Sequence, residues 1–254
     1  MIAIALSLLA HTSALALPAG QDEKPTPPIV TIDEDVHKRY VLHAPAKGTK
    51  APKKGWKLLV VMPGGSGNEK FAPFVGRIRE KALDEEWLVL QMIAPVWSEK
   101  QAEKNVWPTK LNSWPKMKFT CEELFDEVVD HVAKEHKLDP KYLLTMAWSS
   151  SGSLAYTLGL AKKTRVTGTF VAMSVFKPNI LPSLKAAKGR PFHILHSAED
   201  FIPIAMAEDA RDQLEKKRAL VNYATYTGGH GWHGDVYGMM RTGIEWLERK
   251  AKKK

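Results

Sequence analysis

A chain of 254 residues, 44% of them apolar and 26% charged, is long enough for one large α/β domain, and nothing internal reads as a linker between two. Its net charge of +9 is spread through lysine-rich stretches at 47–57, 100–118 and the C-terminus; these lack the interleaved aromatic and glycine pattern of an RNA-binding sheet, so no nucleic acid is expected as a partner. The single cysteine, Cys121, excludes an intramolecular disulfide, and because it opens an amphipathic helical run it reads as a buried thiol rather than a nucleophile or zinc ligand.

Taken in chain order, residues 1–10 (MIAIALSLLA) are a short apolar run followed by small residues, with Ala14/Ala16 and Leu17/Ala19 as candidate cleavage pairs. The segment 1–19 resembles a secretory signal peptide without a basic start, too short for a membrane span, so a secreted or periplasmic protein with no stable membrane anchor is expected. A polar, proline-rich lead-in is expected to be extended over 20–38, and a single domain to occupy 39–250. Residues 39–45 (RYVLHAP) read as an early strand and 56–63 (WKLLVVMP) as a second, wholly apolar one. This second strand runs into Gly64, Gly65, Ser66 and Gly67. A strand ending in Gly-Gly leaves backbone N–H groups unshielded by side chains, which suits a developing oxyanion. No Lys-Ser/Thr pair follows at phosphate-loop spacing and there is no G-x-G-x-x-G, so a phosphate cradle is set aside.

Helical spacing over 68–86 leads to a strand at 87–93. The aromatic-rich insertion at 94–120 is too long for an ordinary connection. It carries Trp97, Trp107 and Trp114, which, with Trp148 later in the chain, are expected to offer flat apolar surface to a substrate, or else to pack an irregular excursion. An amphipathic helix at 120–136, opened by the capping-box pair Thr120 and Glu123, is followed by a turn at Asp139-Pro140.

The stretch 141–159 (KYLLTMAWSSSGSLAYTLG) then changes from a buried-strand pattern to a helical one across three serines. Ala147, Ser149 and Ser151 form small-x-Ser-x-small, a relaxed version of G-x-S-x-G, in which a strained strand-to-helix turn lifts one hydroxyl above the sheet. Ser150 would place the large Trp148 where a small residue is needed, whereas Ser151 has small neighbours and size does not exclude it. The apolar run ends at Trp148 and helical spacing begins at Leu154, which favours Ser149 at the corner and Ser150 at the helix start. A serine-rich helix cap without chemistry would look similar.

Strands follow at 166–173, 191–196 and 221–226, with helices at 205–218 and 235–250. Ser149, Asp200 and His230 each lie just past a strand, and the carboxyl ends of parallel strands share one rim where open α/β sheets bind ligands. Serine needs a base, histidine can serve as one near neutrality, and a carboxylate can fix its tautomer, so the three residue types form a nucleophile, base and orienting acid. Glu199 is a weaker rival to Asp200. The run HGWHGD, with His230, His233 and Asp235, could hold a metal, but glycines rather than a helix would have to fix the ligands, so no metal is expected.

AWSSSG at 147–152 resembles the GWSSGG elbow, HSAEDFIP at 196–203 the H-G-x-x-D-x-x-P acid loop, and GGHGWHGDVYG at 228–238 the histidine loop of α/β-hydrolase serine esterases near the poly(3-hydroxybutyrate) depolymerase, feruloyl esterase and phospholipase/carboxylesterase groups. The likeness runs from about residue 39 to 249. It implies an α/β-hydrolase fold, with a mostly parallel sheet covered by helices on both faces. It also implies ester hydrolysis through an acyl-enzyme carried by Ser149, Asp200 and His230. Together with the glycine loop, this leads to the expectation of an oxyanion hole at the N–H groups of Gly65 and Ser150, a small-molecule or polymer ester as substrate, and no cofactor. Departures from the family pattern are Ala147 and Ser151 in place of glycine, and Pro63 where many members carry histidine. A peptidase or acyltransferase with the same triad, or an inactive binding protein of this fold, are the other readings.

Overall fold

The computed structural model describes residues 25–251; the candidate signal segment at 1–19 lies outside them, as does the start of the lead-in. The strands are β1 (Ile29–Thr31), β2 (Arg39–His43), β3 (Trp56–Met62), β4 (Trp87–Met92), β5 (Leu138–Trp148), β6 (Gly168–Ala172), β7 (Pro191–Ser197) and β8 (Leu220–Tyr226). They form one eight-stranded sheet in the order β1-β2-β4-β3-β5-β6-β7-β8. From β4 to β8 all neighbours are parallel, while β1 and β2 run antiparallel at one edge. Within the lead-in, Ile29–Thr31 supplies the edge strand.

The helices of the described residues are α1 (Ala72–Ala82), α2 (Glu99–Lys104), α3 (Cys121–Glu135), α4 (Gly152–Leu160), α5 (Ile204–Lys216) and α6 (Val236–Ala251); all but α2 contribute to the cores on the two faces of the sheet. All seven residues of β3 are buried. Leu58, Val60 and Met62 point into the core under α3, α4 and α5, and Leu59 and Val61 into the core under α1 and α6. This explains why β3 reads as a continuous apolar run, since a parallel strand covered on both faces has no solvent side. Each such side chain contributes roughly 1.5–3 kcal/mol on burial. The exception in β3 is Lys57, whose ammonium meets Glu86 at 2.6 Å and Glu248 at 3.0 Å. Burial pulls it towards neutrality, but the hydrogen bonds to Glu86 and Glu248 outweigh that and hold it above the ordinary lysine range.

Several element ends differ from the sequence expectation. Pro73 stands in the first turn of α1, so the helix starts at Ala72 after a short 3-10 turn, Glu69–Phe71, rather than at 68. Asp139 and Pro140 do not turn the chain; they are the irregular start of β5, which reaches back to pair Leu138 with Trp56 across a shift in register. Helix α4 stops at Leu160, where Arg190 Nη1 donates to the carbonyls of Gly159 and Ala161 at 2.7 and 2.8 Å. Within the 94–120 segment, Ser98 caps the short helix α2 and the buried Gln101 amide accepts from the Trp97 N–H and donates to the Asn105 carbonyl, both at 2.8 Å. Cys121 is fully buried at the start of α3, and burial pushes its thiol well up.

The strand order reverses between β3 and β5, because the chain leaves β3 for β4 on one side and returns to β5 on the other. The crevice outside the carboxyl ends of two such strands is where open α/β sheets accommodate ligands. A cavity of about 610 Å³, lined in part by Leu58, Val129, Leu143, Val166 and Arg190, lies at the opposite rim, by the amino ends of β5 and β6.

Candidate active site

Four loops meet at the carboxyl rim. Met62 of β3 is level with Ala147 of β5, so the glycine loop after β3 faces the serines after β5. Ser197 of β7 is level with Tyr226 of β8, which sets the loops carrying Asp200 and His230 side by side.

Ser149 follows β5 directly and has φ 56°. For a residue with a side chain the left-handed region costs about 1–2 kcal/mol, and strain of this kind persists only where the surroundings hold it. Here Ser174 Oγ donates to the Ser149 carbonyl at 2.6 Å. Ser151, which size could not exclude, is fully buried; its hydroxyl donates to the Met62 carbonyl at 2.6 Å and accepts the Trp148 N–H at 3.1 Å. It ties the end of β3 to the elbow and faces no solvent. Ser150 Oγ donates to the Gly65 carbonyl at 2.8 Å, so the second serine fastens the glycine loop to the helix start.

The glycine loop has little tolerance for side chains. A Cβ on Gly64 would stand 2.6 Å from Trp148 Cδ1 and 2.7 Å from the Trp148 carbonyl oxygen, and Gly65 has φ 58°. The Gly65 N–H takes no backbone acceptor among the described residues, and the first N–H groups of a helical turn, such as that of Ser150, have no partner within the turn. The hydrogen bond from Ser150 Oγ to the Gly65 carbonyl ties these two segments together next to the elbow.

His230 joins the other two residues. Its Nδ1 lies 2.9 Å from each carboxylate oxygen of Asp200, and its Nε2 lies 2.9 Å from Ser149 Oγ. A carboxylate only accepts, so the tautomer that fits both contacts is the one with its proton on Nδ1 and its Nε2 lone pair facing the serine hydroxyl. The Asp200 side chain is fully buried and that of His230 is 22% exposed. Asp200 Oδ1 also accepts the Ile202 N–H at 2.7 Å, and Ser197 Oγ bonds the Gly228 carbonyl while accepting the Glu199 N–H, which locks the acid loop to the histidine loop. Glu199 itself is exposed. Tyr226 donates to the Gly229 carbonyl at 3.3 Å, and burial together with the Asp200 charge pushes its phenol up to about 12. His233 stacks on Tyr226 with ring centroids 6.3 Å apart. Among the described residues no group of three or more His, Cys, Asp or Glu could hold a metal ion, and no helix is long and apolar enough to cross a membrane.

For Trp107 and Trp148 the substrate-surface reading is corrected and the packing reading holds. Trp107 and Trp148 are 3% and 5% exposed and belong to the two cores. Trp107 Nε1 donates to the Pro63 carbonyl at 3.2 Å, and Trp148 backs Gly64 while packing on Phe71, Phe74 and Trp232. Both shape the glycine loop from behind. Trp97 is half-buried between His37 and Phe119, and Trp114 is half-buried on an outer turn with Met117. Among the residues not singled out from sequence, Ser174 carried no signal. Ser197 had one, because it replaces the glycine of the acid-loop pattern, and so did Phe201, the apolar residue directly after Asp200.

No protein-family model and no curated protein matches this sequence. Solved structures do. An α/β-hydrolase enzyme from a Medee basin deep-sea metagenome library superposes with a TM-score of 0.64 at 15% identity, over 89% of this chain and 97% of that one. A carboxylesterase of Bacillus cereus gives 0.56 at 19% identity, over 83% and 93%. A thermophilic esterase of Thermogutta terrifontis with propionate bound gives 0.59 at 14% identity, over 90% and 93%. At such identities the likeness is one of fold, and the chain has the α/β-hydrolase fold.

Proposed function

We propose that this protein is a serine hydrolase that cleaves carboxylic esters through an acyl-enzyme. The observation that carries the reading is the unbroken relay from Asp200 through His230 to Ser149, with each step at 2.9 Å, inside the range general-base transfer requires. Ser149 Oγ attacks the ester carbonyl as its proton passes to His230 Nε2, and the carbonyl π electrons move onto oxygen. The N–H groups of Gly65 and Ser150 hold that oxyanion, an arrangement worth roughly 10²–10³ in rate per donor. As the C–O bond breaks, Nε2 returns the proton to the departing alcohol. Water then repeats the sequence on the acyl-Ser149 ester, releasing the acid and restoring the hydroxyl. Asp200 keeps Nδ1 protonated and steadies the imidazolium. Structural neighbours described as esterases and carboxylesterases support the ester as substrate.

The test is turnover of p-nitrophenyl acetate by purified protein and its serine variants. Ser149→Ala is expected to lose at least about 10³-fold in kcat, while Ser151→Ala keeps activity within about tenfold. Equal activity in native protein and Ser149→Ala would refute the assignment.

A further inference from the structure

Phe201 is the residue in the acid loop that the relay leaves unused. It is 76% exposed, the only aromatic among the large exposed apolar residues of the described chain. A single apolar side chain in solvent needs no explanation in itself; the setting of this one does. Its neighbours Asp200 and Ile202 are both buried. The loop backbone is fixed on both sides of it: the Ile202 N–H donates to Asp200 Oδ1 at 2.7 Å, His196 Nε2 donates to the Ile202 carbonyl at 2.9 Å, and the Asp200 N–H donates to the Ser197 carbonyl at 3.3 Å. The ring is therefore held outward by the bonds that position the carboxylate. It lies on the His230 imidazole, with centroids 4.3 Å apart and planes inclined at 43°.

We infer that Phe201 is a specificity-determining residue that receives the alcohol portion of the ester, and that the preferred substrates carry an apolar alkyl or aryl alcohol. The inference rests on the serine-hydrolase reading for its geometry. In the tetrahedral intermediate the carbonyl oxygen turns towards Gly65 and Ser150, and the departing oxygen must come within about 3 Å of His230 Nε2 to take its proton. The group attached to that oxygen is then delivered beside the imidazole, where the exposed face of Phe201 stands. A flat or branched apolar alcohol removes both its own surface and that of the ring from water on binding. A methyl group is too small to gain much from the contact. The acyl portion stays bonded to Ser149 after the alcohol has left, so Phe201 discriminates in acylation and leaves deacylation of a common acyl group unchanged.

Methyl, butyl and benzyl acetates share one acyl-enzyme and differ only in the alcohol. With Phe201→Ala, which removes an exposed ring and leaves the fold intact, kcat/KM for benzyl acetate is expected to fall about tenfold, with methyl acetate changed less than about twofold and Phe201→Leu recovering most of the loss. An equal fall on all three esters would overturn the inference and assign the ring to shielding the imidazole; no fall on any ester would overturn it too. If the native protein hydrolyses none of them, the serine-hydrolase reading fails and a binding measurement decides this one. Benzyl alcohol is titrated into native protein and Phe201→Ala while the His230 imidazole is followed by NMR. A saturable shift in the native protein, at least fivefold weaker in the variant, upholds the apolar site, and its absence or its persistence in Phe201→Ala overturns it.

Discussion

Asp200 illustrates how much one side chain is asked to do at the rim. Its carboxylate is fully buried, and it meets both His230 Nδ1 at 2.9 Å and the Ile202 N–H at 2.7 Å. Removing its charge while keeping its shape separates these duties. In Asp200→Asn the amide oxygen can still accept from the Ile202 N–H, so the loop should stay in place, while the amide nitrogen donates where a carboxylate oxygen accepted and turns His230 into the wrong tautomer. The expected result is a fall in kcat of roughly 10³–10⁴-fold with a denaturant midpoint close to native. An Asp200→Asn protein that turns over at the native rate would remove Asp200 from the relay. Phe201, next in sequence, is fixed by the same bonds, so the residue that meets His230 Nδ1 also sets where the exposed ring stands.

At the level of elements, the elbow and the glycine loop behave as one unit. Ser150 and Ser151 each bridge from the start of the turn after β5 to the chain leaving β3, and Ser174 holds the strained corner from a third loop. Ser151→Ala strips a fully buried hydroxyl and leaves the Met62 carbonyl and the Trp148 N–H without it, which should cost about 1–3 kcal/mol in urea unfolding. A midpoint unchanged from native would mean these bonds contribute nothing. Much of this unit could be read from sequence. β3 and the core of β5 are apolar runs that stop at glycines or serines, and such stops mark strand ends wherever a sheet is covered on both faces. The choice of Ser149 over Ser151 depended on where the run stopped; Ser151 is fully buried, and it is Ser149 that meets His230. The tryptophans were not legible in the same way, because an indole that lines a cleft and one that backs a glycine loop have identical composition and similar neighbours. Only the hydrogen bond from Trp107 to Pro63 and the contact of Trp148 with Gly64 separate the two. β1 escaped notice because three residues beside a proline-rich lead-in are too short to show periodicity.

For the molecule as a whole, the sheet that brings the relay together also imposes a pH limit. His43, at the end of β2, and His193, on β7 against Phe170 and Asn222, are buried, and burial lowers each imidazole to about 4 from its ordinary 6.5. Each keeps a buried Nε2 without an acceptor among the described residues. The unfolded chain binds these protons near pH 6.5 and the folded chain only near pH 4, so the stability present above 6.5 is lost as the pH falls through that window. The two groups together should remove roughly 5–7 kcal/mol between pH 7 and 4. Urea unfolding across that range should show a slope that flattens in His193→Gln, and an unaltered slope would contradict the burial argument. Residues 149, 200 and 230, far apart in sequence, come within hydrogen-bond distance because β5, β7 and β8 end at one rim. The most direct test is peptide mapping after reaction with a fluorophosphonate. One adduct on Ser149 in the native protein, and none in His230→Ala, is the result expected. No adduct, or an adduct that forms equally well without His230, would contradict the account.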